Sequence, residues 1–163
     1  MPILKVVPGS YSNKDVLHLL IEEYIYPKAL LIGGLAVDPA HAVEQMQVTK
    51  AVWNKTDGKQ LRHFIVSFSS YESEKIQHAK ELNSLAYSIC NYYAYEYQIV
   101  FGIHDNGHYH IHFCQNTVNY MTGKKYAQSN NDDYILSDMI SKIYLPNTLG
   151  HKFRCEKIPV YYC

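Results

Sequence analysis

Between Gln98 and Phe113 the chain reads QIVFGIHDNGHYHIHF, and this stretch constrains the fold more than any other. Successive side chains of a strand point to opposite faces, so Tyr109, Ile111 and Phe113 share one face while His108, His110 and His112 share the other. Upstream, Ile99, Phe101 and Ile103 alternate with Gln98, Val100, Gly102 and His104, a second strand buried on its odd-numbered side. Asp105-Asn106-Gly107 separates the two runs, and Asn-Gly accepts the positive φ of a tight hairpin turn. Antiparallel pairing is therefore expected, and it brings His104 beside His110 and His112 on one face of the sheet.

Other elements can be placed around this hairpin. Ser12 and Asp15 have the spacing of a capping box, opening a helix with Val16, Leu19, Leu20 and Tyr24 near its apolar stripe. Asp38-Pro39 sets a cap residue before a first-turn proline, and Val43, Met46 and Trp53 suit one side of the helix that follows. LRHFIVSF, from Leu61 to Phe68, alternates Phe64, Val66 and Phe68 against His63, Ile65 and Ser67 and reads as a strand. A long helix is predicted over roughly Glu72 to Tyr93, with Ile76, Ala79, Leu82, Ala86, Ile89 and Tyr93 on its stripe. A further helix is predicted from about Asp132 to Tyr144, and HKFRCEKIPVYYC at the end carries a strand pattern. The order implies an α+β domain: an antiparallel β-sheet with helices packed on its apolar face and an open histidine-bearing face.

Length and composition bound what such a domain does. The chain of 163 residues reads as a single domain, residues 1–163, with a core of its own. Its longest apolar run, Ala29 to Val37, is broken by Gly33-Gly34, so neither a signal peptide nor a membrane span is expected and the cytoplasm is the expected location. Cys90, Cys114, Cys155 and Cys163 lack CxxC spacing, which fits reduced thiols better than disulfides or a zinc knuckle. Fifteen Lys+Arg balance fifteen Asp+Glu, so any nucleic-acid partner must be held by a local patch rather than a basic surface.

The histidines supply that local chemistry. A lone strand histidine is ordinarily a polar residue facing water. Three gathered by a hairpin, His104, His110 and His112, describe a divalent-metal site that keeps open positions, as catalytic sites do. For His108, at the edge of the strand, ligation, contact with DNA and solvent exposure all stand open. His63 reaches the same face, as a further site residue or as a structural hydrogen-bonding partner. The metal-hydrolase patterns HxHxDH and HExxH are both absent.

Through LRHFIVSF, a long helix, and then YQIVFGIHDNGHYHIHFCQNTVNYMTGKKY, the chain resembles the relaxase/mobilisation nuclease branch of the HUH endonucleases. The resemblance covers Asp38 to Tyr126 and is strongest from Leu61; His110-Ile111-His112 is the histidine-hydrophobic-histidine pair for which the superfamily is named. It implies an enzyme that nicks one DNA strand. A tyrosine attacks a phosphodiester and becomes joined to the 5′ phosphate, a histidine-bound metal polarises that phosphate, and a free 3′ hydroxyl is left for rejoining.

The resemblance also orders the candidate site residues. It sets the nucleophile on a helix before the histidine motif, and LHLLIEEYIYPKAL offers Tyr24, followed by Ile25, and Tyr26. Tyr24 is preferred because Pro27 displaces Tyr26 from a helical frame. His63, His108, Asn116, Lys124 and Lys125 are the candidate DNA contacts, the two lysines as phosphate partners or as ordinary solvated residues. Mn²⁺ or Mg²⁺ is the implied cofactor, with Zn²⁺, Co²⁺ or Ni²⁺ able to substitute at imidazole ligands. The implied substrate is single-stranded DNA beside a hairpin, at an origin of transfer or of replication, with helicase or accessory DNA-binding functions supplied by partner proteins. A rolling-circle replication initiator would use the same chemistry. An unrelated metal-dependent hydrolase would cut without a covalent adduct, and a catalytically inactive DNA-binding relative would not cut at all.

Overall fold

A computed structural model of the chain describes residues 2–127, 129–144 and 154–157. Its strands are β1 (Ile3–Val7), β2 (Leu31–Leu35), β3 (Leu61–Ser67), β4 (Ile99–Asp105), β5 (Tyr109–Asn116) and β6 (Arg154–Lys157). Its α-helices are α1 (Val16–His18), α2 (Ala42–Val52), α3 (Ser70–Ser73), α4 (Lys80–Tyr93) and α5 (Asn130–Tyr144). The strands form one sheet in the order β2-β4-β5-β3-β1-β6. Every pairing among β1 to β5 is antiparallel, and β6 lies parallel to β1 at the edge. The protein is α+β, as its sequence pattern requires.

The β4–β5 hairpin forms in the expected register. His104 pairs with His110 and Gly102 with His112. At the turn the Asp105 carboxylate accepts from the Gly107 amide at 3.0 Å, and Gly107 takes φ +85°, which its missing Cβ permits. On the other side of β5, β3 sets Ser67 opposite His110, Ile65 opposite His112 and His63 opposite Cys114.

One sheet face carries the main core. Phe64, Val66, Ile99, Phe101, Ile103, Ile111 and Phe113 pack against Leu82, Leu85, Ala86 and Ile89 of α4 and against Leu136 and Ile140 of α5. Burying each of the larger side chains contributes roughly 1.5–3 kcal/mol before chain entropy is set against it. Within this core the Arg62 guanidinium pairs with Asp133 at 2.8 Å and donates to the Tyr93 hydroxyl and the Gln115 side-chain oxygen. That pair fixes α5 to the sheet.

The histidine face is not bare, which corrects the expectation of helices on one face only. Leu17, Ile21 and Ile25 from the N-terminal helical segment, with Ala42, Val43 and Met46 from α2, pack on Leu61, Val100 and Cys114. Val100 and Cys114 carry apolar side chains onto that face, so part of it must be covered. The part left open includes the hairpin end of β4 and β5, where the partly exposed His108 and His110 lie.

Several local expectations change as well. No Ser12–Asp15 capping box forms; the Asn13 side chain accepts from the Asp15 amide instead. From α1 the chain continues into π-helical turns over Leu19–Ile25 and a 3₁₀ turn over Tyr26–Lys28. These changes of pitch turn Leu17, Ile21 and Ile25 inward, and Leu19 and Tyr24 outward. Asp38 does cap a 3₁₀ turn over Pro39–His41 that leads into α2. Trp53 lies past the end of α2 rather than on its buried side, stacked close over Gly123 and donating to the Tyr120 carbonyl.

The single helix predicted over Glu72 to Tyr93 is two. A capping box between Ser69 and Glu72 opens α3, which ends after one turn. The Glu81 carboxylate then accepts from the Gln77 and His78 amides, satisfying donors at a fresh helix start. Among the described residues no helix is long and apolar enough to cross a membrane.

Candidate active site

The hairpin register and the sheet's pleat gather three imidazoles. Ring centroids are 4.5 Å apart for His104 and His112, 5.2 Å for His104 and His110, and 5.0 Å for His110 and His112. One nitrogen from each ring lies within 4.8 Å of the others, and among the described residues this is the one cluster of metal-competent side chains.

Hydrogen bonding leaves one nitrogen of each ring free. Nε2 of His104 lies 2.7 Å from the Ile25 carbonyl oxygen and must donate to it, so Nδ1 keeps its lone pair. Nδ1 of His110 lies 3.2 Å from its neighbour's carbonyl, that of His108, so Nε2 stays free. Nδ1 of His112 is 3.0 Å from Nε2 of His63, while Nε2 of His112 is buried without a hydrogen-bond partner. A buried imidazole nitrogen with no partner carries a penalty of about 1–3 kcal/mol, which ligation removes. The rings thus fit a divalent transition metal: three nitrogen donors, with backbone carbonyls and a fourth imidazole behind them.

Electrostatics favours the neutral rings that ligation needs. Burial, reinforced by His63, His104, His110 and Lys28, pushes the His112 imidazolium down to about 2. Burial pushes His63 down to about 4 and lowers His104 and His110 as well.

The Tyr24 ring lies against this cluster, 5.3 Å from His112 in an edge-on arrangement and 6.3 Å from His104. It remains 43% exposed, with the Lys28 ammonium 5.1 Å from its centre. Tyr26 points elsewhere: its half-buried hydroxyl donates to the Pro39 carbonyl at 2.8 Å, and burial raises its pKa. The helical segment can approach because Gly102 faces it; a Cβ there would stand 2.5 Å from Cγ2 of Ile25.

The expected DNA contacts divide. His108 is half-exposed, its ring 5.5 Å from that of His110, so it borders the cluster. His63 is only 5% exposed and stacks on His112, out of reach of a strand on the surface. Asn116 is 0% exposed, accepting from the Lys50 ammonium and donating to Gln98 and the Met46 carbonyl, so it holds α2 to β5 rather than meeting DNA. Four residues of strand set it roughly 13 Å from His112. Lys125 is spent on the Asp57 and Lys59 carbonyls, and Lys124 is exposed beyond the same far end of β5. Lys28 and Gly102 were not singled out from the sequence. The signals were there: Lys28 follows Tyr24 by four residues, one helical turn, and Gly102 is the residue that hairpin pairing puts opposite His112.

A sheet with a hairpin-borne histidine triad and an exposed tyrosine beside it is the architecture of the HUH nucleases. The chain belongs to the relaxase family described as "Relaxase: MobA/VirD2-like, nuclease domain", which it matches over residues 26–149. The matched span contains the three histidines and begins two residues after Tyr24. It is similar to two proteins of Staphylococcus aureus, each called "Protein rlx". One is 36% identical over 101 residues, covering 61% of this chain and 30% of the relative. The other is 35% identical over 99 residues, covering 60% and 30%. The match thus spans less than a third of either relative. No solved structure matches the chain.

Proposed function

We propose that this chain is a metal-dependent, site-specific nicking and joining enzyme for single-stranded DNA, with Tyr24 as nucleophile, acting in the cytoplasm in transfer of a plasmid or other mobile element. The observation that carries this reading is the contact of the exposed Tyr24 ring with His112 and His104. That contact supports a phenol acting on a phosphate bound at the cluster.

The geometry supports the following roles. His104, His110 and His112 would hold a divalent ion, which when bound supplies a positive centre for the charge that builds on the phosphate oxygens. The Tyr24 hydroxyl oxygen forms a bond to phosphorus as the bond from phosphorus to the 3′ oxygen breaks. The phenolic proton passes to water on the open side of the ring, and the departing 3′ oxygen takes a proton from solvent. The 5′-phosphotyrosine ester retains the energy of the broken linkage, so a 3′ hydroxyl can reverse the step and reseal the strand. Lys28 over the Tyr24 ring adds positive charge beside the phosphate.

The substrate reading rests on charge and surface. A protein of net charge +0 lacks the broad basic face that holds random duplex. Leu30 and Ile32 are exposed where β2 borders the histidine face, giving apolar surface suited to unpaired bases. The site is an origin of transfer next to a hairpin, with accessory DNA-binding proteins or a helicase opening the duplex.

The test is incubation of the protein with Mn²⁺ and a pool of single-stranded oligonucleotides, followed by denaturing gels and mass spectrometry. A protein–DNA adduct on a peptide containing Tyr24 is expected. Cleavage without an adduct would point to a plain hydrolase, and equal affinity for random duplex would count against the substrate assignment.

A further inference from the structure

His63 is a buried polar group that the chemistry above leaves without a task. It reaches the histidine face from β3, diagonal to His112 because Ile65 is the residue opposite His112. Its ring stacks on that of His112, centroids 5.3 Å apart and planes 23° from parallel, and its Nε2 is 3.0 Å from Nδ1 of His112.

Only one of the two nitrogens in that contact carries the proton, and the choice decides what His112 can do. If His63 donates, Nδ1 of His112 accepts and the proton of His112 sits on Nε2, a buried N–H with no acceptor. If His112 donates from Nδ1, its buried Nε2 carries a lone pair free to ligate. Nε2 of His112 has no hydrogen-bond partner in either case, so only the second arrangement puts that atom to use. We propose that His63 is a positioning residue of the metal site, accepting the Nδ1 proton of His112 so that Nε2 of His112 is fixed as the ligating atom.

The proposal rests on the reading of His104, His110 and His112 as metal ligands and goes beyond it by assigning a fourth imidazole a different duty. A ligand ring held by a hydrogen bond loses its freedom to flip and gains basicity, and removing such outer partners typically weakens metal affinity about 10–100-fold. His63 is a neutral acceptor where a carboxylate could stand, so it orients the ligand without adding negative charge to a site that has to receive phosphate.

The experiment uses the full chain and Co²⁺ or Zn²⁺ alone. Calorimetry and the visible spectrum of the Co²⁺ form are compared for wild type, His63→Phe, His63→Leu and His63→Gln, with His110→Ala as the control for the site itself. The apolar variants are expected to lose about 10–100-fold in affinity and to change the Co²⁺ spectrum, while His63→Gln, whose amide oxygen can accept, stays nearer wild type. Nitrogen-15 NMR of the Zn²⁺-loaded wild type is expected to show His112 protonated at Nδ1 and His63 unprotonated at Nε2, a readout that needs no variant to fold. Wild-type affinity in His63→Phe and His63→Leu, or the opposite tautomers in NMR, would overturn the positioning role while His110→Ala still abolishes binding. Failure of the wild type to bind either ion would overturn both this and the metal reading.

Discussion

Nε2 of His104 donates a 2.7 Å hydrogen bond to the carbonyl oxygen of Ile25, the residue that follows Tyr24. That carbonyl is at the C-terminal end of the π-helical turns, where backbone acceptors lack helical donors. One histidine therefore serves two purposes: its Nδ1 keeps a lone pair for the cluster, and its Nε2 edge anchors the segment bearing the tyrosine. Position of the tyrosine and order in the metal site are coupled through a single ring.

That coupling predicts the behaviour of Gly102→Ala. The added Cβ would lie 2.5 Å from Cγ2 of Ile25 and 3.2 Å from Cβ of Ala29, so the helical segment must move outward. Overpacking of this kind costs about 1–3 kcal/mol. A displacement near 1 Å lowers the rate of adduct formation on the order of 100-fold, and metal affinity falls with it because His104 loses its anchor on the Ile25 carbonyl. Urea unfolding, calorimetry and a single-turnover adduct assay check the three parts; full adduct formation in a destabilised variant would show that Tyr24 does not need this seat.

Replacement of ligands separates metal from fold. His110→Ala removes a partly exposed ring, so the protein should stay folded and lose both Mn²⁺ binding and DNA cleavage. Chelation of the wild type should do the same reversibly, and Mn²⁺ should support activity at least equal to Mg²⁺ because the donors are nitrogen. Calorimetric binding that survives in His110→Ala,His112→Ala would remove the cluster from consideration.

The two tyrosines should respond oppositely. Tyr24→Phe removes one oxygen from a ring 43% open to solvent, so stability should hardly change while the adduct disappears. Tyr26→Phe removes the donor to the Pro39 carbonyl, costing about 1 kcal/mol and leaving the adduct intact. Mass spectrometry of the trapped peptide decides, and DNA on Tyr26 would reverse the assignment.

Asp133→Ala tests the frame rather than the site. It would leave the Arg62 guanidinium buried beneath α5 without its carboxylate, and breaking one side of a buried pair costs about 3–5 kcal/mol. Metal affinity, measured well below the new melting temperature, should change little, since the pair lies on the opposite sheet face from the histidines. A melting temperature matching wild type would show that the pair does not hold α5.

The parts of this structure that repeat were readable in one dimension. Alternation over Gln98 to Phe113 fixed the hairpin, its register and the meeting of His104, His110 and His112, because a strand's side-chain period admits one answer once the turn is known. β1 and β2 escaped notice. Five-residue strands carry little periodic signal, and Gly33-Gly34 looked like a break although Gly33 makes room for the Phe101 ring inside β2. The cover on the histidine face was hidden because it depends on tertiary packing against Val100 and Cys114. Asn116 illustrates the same limit: its polarity was legible, but the buried Lys50 that claims it lies 66 residues away in sequence.

Lys50 itself carries the pH prediction. Buried at the end of α2 and bonded to the Asn116 side chain, its ammonium is pushed by burial from the ordinary 10.5 down to about 8. Below pH 8 the lysine is charged in both folded and unfolded chains, and the folded state bears the whole penalty of burial. Between pH 8 and 10.5 the folded protein has released the proton and the unfolded chain has not, so the unfolded state binds more protons and stability rises with pH. The rise is at most about 1.4 kcal/mol per pH unit and ends above 10.5. Tyrosine and cysteine titrations also act in this range, but they are shared by Lys50→Met, so the difference between wild type and that variant isolates the lysine. Urea unfolding at pH 7 and pH 9.5 should show the wild type gaining on Lys50→Met at the higher pH. A gap that stays constant would mean that Lys50 titrates in the folded protein as it does in water.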